Sequence, residues 1–229
     1  MSRKPTYEEL EKRVKELEKK CVERKIAEEK LKTDCDKLQK NLDEFIQLIV
    51  FISELNDPFT AGHQRKVTQL ACAIAKEMGM SEKQFKGIYM ASRIHDIGKM
   101  KVPAEILNKP AKLTETELNI IKTHPQAGYE LLKHIEFQWP IAQIVLQHHE
   151  KCDGSGYPAA LRNNEILLEA RIISVADVVE AMCSSRSYRP SLNIEKAMEE
   201  ISQNKGTLYD TQVVEACLKI LADGEFSFE

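Results

Sequence analysis

A heptad seam governs the first quarter of this chain. Steps of three and four from Tyr7 meet Leu10, Val14, Leu17, Cys21, Arg24, Glu28, Leu31, Cys35, Leu38, Leu42, Phe45, Ile49 and Ile52. All but Arg24 and Glu28 are apolar, aromatic or Cys. More than half of the first 44 residues are charged, with both signs mixed, no Gly, and Pro only at position 5. Such a segment reads as one long helix, and a lone helix would leave its apolar stripe in water. The pattern therefore predicts a self-associating coiled coil, with a parallel homodimer as the expected form. Cys21 and Cys35 share a heptad position two heptads apart. They are expected as buried thiols of the seam, within reach of cross-linking on oxidation.

The seam enters Phe45–Ile52 without a Gly or Ser linker, and Pro58 and Gly62 then break the helix. Residues 1–55 are expected to form a coiled-coil dimerisation and signal-transmission helix, and residues 56–229 a globular domain.

Beyond residue 60 the periodicity is helical throughout, with no alternating strand pattern of useful length. A helix is expected over 61–78, stopped at Gly79. Ser81 with Gln84, and Thr114 with Glu117, have the spacing of capping boxes that open two further helices. Gly98, Pro103 and Pro110 mark a loop. Pro125 starts a short helix through Leu132, and Trp139-Pro140 starts another that ends near Glu150. Residues 151–164 form a second loop, and helices follow at about 168–184, 193–203 and 210–222. The expected fold class is all-α: a helical bundle preceded by a long coiled-coil helix.

The formal net charge of −3 gives no whole-chain attraction to nucleic acid or to an anionic membrane surface. No apolar run reaches the roughly 18 residues needed to span a bilayer, and the N-terminus lacks the apolar stretch of a signal peptide. A cytoplasmic protein is expected. The six cysteines are irregularly spaced and form no C-x-x-C pair, so they read as reduced thiols rather than a disulfide framework.

The chemistry is concentrated around His95-Asp96-Ile97-Gly98-Lys99. Two metal-binding side chains stand side by side, with a Lys one helical turn on. His148-His149 repeat the paired arrangement, and neighbours on a helix diverge by about 100°. His124 precedes a Pro-started helix. Asp177 lies in a mostly apolar helix, where an unpaired carboxylate is costly to bury. Each signal alone fits a structural role as well as a ligand role. Together they describe a set of nitrogen and oxygen donors without thiolate. Two cations about 3.5–4 Å apart would lower the pKa of a shared water, neutralise an anionic phosphodiester and steady its leaving oxygen. His134 matches no part of this pattern. Glu150 is expected to orient a neighbouring histidine, and Trp139 is expected in the core.

In order, His95-Asp96-Ile-Gly-Lys99, His124-Pro125, His148-His149-Glu150, Asp153-Gly-Ser-Gly-Tyr157-Pro158 and Asp177 resemble the HD-GYP domain. That family is a bacterial subgroup of the HD-superfamily phosphohydrolases. The resemblance covers about residues 55–225. It implies a metal-dependent phosphodiesterase that opens cyclic di-GMP, with linear pGpG or GMP as the end product. It further implies that His63, His95, Asp96 and Asp177 hold one metal ion. Asp96 would bridge to a second ion held by His124, His148 and His149. Asp96 and Lys99 would be the catalytic residues, with Lys99 facing the substrate phosphate, and Arg186 and Arg189 would contact the dinucleotide's phosphates. Gly156, Tyr157 and Pro158 would shape the loop beside the pocket. Phe59 stands where some members carry a third-metal Glu, so two ions are expected, iron or manganese. Asp57 is nearby. The N-terminal helix resembles linkers that join a sensor or receiver to such a domain, and an upstream protein of that kind is the expected input. The rival readings are another cyclic dinucleotide, such as cyclic GMP-AMP, and a non-catalytic scaffold that senses cyclic di-GMP.

Overall fold

The computed structural model describes residues 4–55, 62–184, 193–223 and 226–228. Among these residues the secondary structure is helical, with only isolated bridges between Asp153 and Arg162 and between Lys205 and Tyr209. The helices are α1 (Tyr7–Leu55), α2 (His63–Glu77), α3 (Glu82–Ile94), α4 (Ala104–Leu107) and α5 (Glu115–Ile121). They continue as α6 (His124–Leu132), α7 (Ile141–Gln147), α8 (Leu168–Cys183), α9 (Ile194–Gln203) and α10 (Thr211–Ala222). The chain divides into two compact units, Met1–Leu48 and Ile49–Glu229. No helix among the described residues is long and apolar enough to cross a membrane.

The described part of the first unit is α1 as far as Leu48, and the last turns of that helix belong to the second unit. Leu10, Leu17, Leu31 and Leu38 lie on the surface of α1 at 48%, 59%, 65% and 68% exposure, so within one chain the seam stays uncovered.

The second unit is organised on α8. Ile172, Ile173, Val175, Ala176 and Val179 are fully buried, which makes α8 apolar around most of its circumference. Helices α2, α3, α7, α9 and α10 pack against it. On α2, Val67, Leu70, Ala71 and Ile74 repeat at helical spacing and are fully buried. Each large side chain of that stripe contributes about 1.5–3 kcal/mol by leaving water.

The element ends follow local chemistry. Gly79 adopts φ 66° just beyond α2, a left-handed conformation that suits glycine. Both capping boxes form: Ser81 accepts from the Gln84 amide before α3, and Thr114 accepts from the Glu117 amide before α5.

Two stretches differ from expectation. The loop expected after Gly98 instead holds a 3₁₀ turn, Ile97–Lys101, and the short α4. Gly98 has no Cβ, so this turn packs directly on the start of α6. A Cβ there would lie 1.9 Å from the His124 carbonyl oxygen. Helix α7 ends at Gln147 rather than near Glu150, because the His148 ring turns back onto the Val145 carbonyl. Pro58, Asp57 and Phe59 lie outside the described residues.

Candidate metal centre

Helix ends deliver most of the donors. His63 is the first residue of α2, His95 caps the end of α3, and Asp96 starts the 3₁₀ turn. His124 opens α6, His148 caps α7, and His149 follows it. Asp177 alone comes from mid-helix, on α8.

These side chains form two groups. Asp96, His124, His148 and His149 make one, and His63, His95 and Asp177 the other, with one donor atom per residue lying within 4.8 Å of the rest of its group. Asp96 faces both groups. Its Oδ1 is 3.2 Å from His124 Nε2. Its Oδ2 is 3.5 Å from His95 Nε2 and 3.6 Å from His63 Nε2. Asp177 also spans the groups, with Oδ1 3.1 Å from His63 Nε2 and Oδ2 3.9 Å from His149 Nδ1. The sequence reading gave it to one group only. The expected divergence within His148-His149 does not hold. The pair sits beyond the last helical residue of α7, and the rings converge to 4.1 Å between centroids.

Backbone carbonyls fix the tautomers of three rings. His95 Nδ1 donates to Ser92 O at 2.7 Å, His124 Nδ1 to Ile121 O at 2.8 Å, and His148 Nδ1 to Val145 O at 2.6 Å. A carbonyl only accepts, so each Nδ1 carries the proton and each Nε2 presents its lone pair inward. The carbonyls are those that a helix end leaves unsatisfied, three residues back in each case. His63 is held differently, by the Glu180 carboxylate on Nδ1.

Burial depresses the pKa of His148 to about 3, with the neighbouring His95 and His124 adding to the effect. Burial likewise lowers His95 and His149. Burial acts to raise Asp96, but the Lys99 charge and the imidazoles outweigh it and hold the carboxyl well below its ordinary range. Burial also acts to raise Asp177, and it too is held low, chiefly by His63. For His63 burial acts to lower the pKa, but Asp177, Glu180 and Asp96 outweigh it and raise it to about 9.

A proton on His63 thus occupies the electrostatic position of a cation. The ordinary histidine value is about 6.5. The stability this proton confers on the metal-free chain is therefore complete below that pH and is lost as pH rises through about 9. Metal loading at pH 7 is expected to release about one proton per chain from His63, and fewer as the pH is raised toward 9. Calorimetric titration in buffers of different ionisation enthalpy checks this. Proton release from this group that does not fall over that range would contradict it.

The residues fit a metal. His95 Nε2 is buried with no hydrogen-bond partner among the described residues, and the donors are imidazole and carboxylate, a set suited to divalent first-row ions. Cys152 takes no part in either group. It is buried, with its amide bonded to Leu208 O.

Lys99 Nζ is 2.7 Å from Asp96 Oδ2. Both residues line a cleft of about 330 Å³, together with Ile121, His124, His149, Tyr157, Asp177, Val178, Ala181 and Met182. The Tyr157 ring stacks on His149 at 4.8 Å, and Lys122 Nζ lies 5.6 Å from the Tyr157 centroid. Among the described residues Glu150 makes no hydrogen bond to a histidine, contrary to expectation. Its carboxylate accepts from the Ala159 amide at 2.7 Å and the Leu161 amide at 3.0 Å, and so ties down the loop carrying Gly156, Tyr157 and Pro158. Gly156 is pressed against that turn, where a Cβ would lie 2.4 Å from Lys151 N. His134 is exposed and belongs to neither group. Trp139 is half-buried against Gly87. Arg186 and Arg189 lie outside the described residues.

Sequence reading missed Glu180 and Lys122. The signal for Glu180 was a second carboxylate one turn beyond Asp177 on the same apolar helix. Lys122 carried no distinguishing signal.

The HD domain family profile matches residues 48–213. The cyclic di-GMP phosphodiesterase response regulator RpfG of Xanthomonas campestris is 37% identical over 194 residues, covering 84% of this chain and 51% of that protein. The 3'3'-cGAMP-specific phosphodiesterase 1 of Vibrio cholerae is 37% identical over 151 residues, 66% of this chain and 35% of its own length. The chain spans about half or less of these curated relatives. Among solved structures, Bd1817, an HDG"Y"P protein from Bdellovibrio bacteriovorus, shares the fold. Its TM-score is 0.59 at 20% identity, over 70% of this chain and 51% of that one.

Proposed function

Because the chain belongs to the HD domain family, we propose that it is a metal-dependent phosphodiesterase that opens cyclic di-GMP, with linear pGpG or GMP as the product. The observation that carries the reading is the pair of donor groups facing the two oxygens of Asp96, beside a cleft lined by Lys99. His63, His95, Asp96 and Asp177 would hold one divalent ion, and Asp96, His124, His148 and His149 a second, with iron or manganese suited to the donor set. Bound there, two ions would acidify a shared water and neutralise the phosphodiester.

The chain's own residues supply the rest. Lys99 sits 2.7 Å from Asp96 and is charged, so it is placed to meet a phosphate oxygen at the centre. Tyr157, stacked on His149, forms a wall of the cleft beside the phosphate position. The loop bearing Gly156, Tyr157 and Pro158 is held by Glu150, so that wall is built before substrate arrives. Arg186 and Arg189 are proposed to add positive charge at the dinucleotide's phosphates.

Cyclic GMP-AMP is the second reading, favoured by the Vibrio cholerae relative named for that substrate. Parallel turnover assays with both dinucleotides, read by chromatography of the products, decide between them. Faster hydrolysis of cyclic GMP-AMP would replace the first reading with the second. A scaffold that binds without cutting is opposed by the complete donor set.

The exposed seam of α1 supports a parallel homodimer that receives its signal from an upstream sensor or receiver protein. Sedimentation of the full chain is expected to give a dimer, and removal of residues 1–40 a monomer. A monomeric full chain at micromolar concentration would refute the coiled-coil assignment.

A further inference from the structure

We infer that Glu180 is the positioning residue of the metal group formed by His63, His95 and Asp177. Its carboxylate holds His63 Nδ1 so that Nε2 faces the ion. This rests on the metal reading of the site and deepens it.

The C-terminal end of a helix offers carbonyls without partners. His95, His124 and His148 each follow helical residues and find an unsatisfied carbonyl three positions back. His63 stands at the opposite kind of end. It is the first residue of α2, where amide donors rather than carbonyl acceptors are unpaired. Its Nδ1 instead finds its acceptor in Glu180, 117 residues away in sequence.

Glu180 is only 1% exposed, on a helix that is otherwise mostly apolar, so its carboxylate needs partners to be tolerated there. Ser184 Oγ donates to its Oε1 at 2.5 Å, and Lys66 Nζ lies 3.8 Å from the same oxygen. Its Oε2 is thereby turned toward His63. Asp177 and Glu180 sit one turn apart on α8 and meet the ring at its two nitrogens. Glu180 belongs to neither donor group, so its part is to orient a ligand rather than to be one. Of the four imidazoles with a described Nδ1 hydrogen bond, His63 alone has a side chain as the acceptor.

The test counts manganese in the full-length chain at a fixed, chelator-buffered free-ion concentration. Wild type is expected to hold about two ions. Glu180→Met keeps the buried volume but removes the acceptor, and should weaken one group tenfold to a hundredfold, leaving about one ion held. Glu180→Gln keeps an acceptor for Nδ1 and should restore the count to about two. Far-UV circular dichroism should be unchanged in both. A Glu180→Met chain that keeps both ions, loses both, or loses its helical signal overturns the assignment. So does a Glu180→Gln chain that behaves like Glu180→Met, since a ligand role would give that result. A wild-type chain that binds no manganese or iron fails the metal reading itself, which is a different outcome.

Discussion

Asp96→Ala should abolish hydrolysis of cyclic di-GMP, by about a thousandfold or more, and leave the helical content intact. Asp96 reaches both donor groups through its two oxygens. One carboxylate oxygen meets His124, and the other meets His63, His95 and the Lys99 ammonium. Its loss removes a donor from both groups at once and takes away the carboxylate that meets the Lys99 ammonium in the cleft. Asp96→Asn keeps the shape but not the charge and should fall nearly as far. Steady-state product formation with circular dichroism on the same samples gives the answer. An Asp96→Ala enzyme within tenfold of wild type would mean that the two groups do not work through a shared carboxylate.

Gly98→Ala should cost about 4 kcal/mol of stability or prevent folding outright, a large effect for one methyl group. The added Cβ would lie 1.9 Å from His124 O and 2.5 Å from Gly128 N. Both are backbone atoms of α6, so relief requires the 3₁₀ turn to move away from that helix. The turn follows Asp96 directly and α6 begins with His124, so such a shift would also pull apart the two side chains proposed to share an ion. Gly87→Ala is the control, because the nearest atoms to its Cβ would be those of the Trp139 side chain, from 3.1 Å, rather than backbone. It should cost about 1 kcal/mol. Thermal and chemical denaturation of the two variants make the comparison, and equal midpoints would contradict the packing argument.

Much of the fold was legible because the signals were local. A capping box joins residues three apart, so Ser81 with Gln84 and Thr114 with Glu117 announce α3 and α5 without knowledge of the rest. The donors were legible for a related reason. Adjacent His-Asp and His-His pairs are unusual enough to stand out in a helical sequence. What stayed hidden depends on tertiary approach. The 3₁₀ turn at Ile97–Lys101 is set by packing on α6 through Gly98, and no local pattern marks it. The end of α7 is set by a histidine folding back on its own helix. Glu150 turned out to hold the loop because the Ala159 and Leu161 amides come to it in space. Glu180 pairs with a histidine 117 residues away, a contact that no spacing rule reaches.

The most direct test of the central claim is turnover of cyclic di-GMP by protein purified without oxygen, with metal assayed on the same sample. The account predicts linear pGpG, or GMP, from chains holding about two iron or manganese ions each. Fully metallated protein that forms no product from cyclic di-GMP would contradict it.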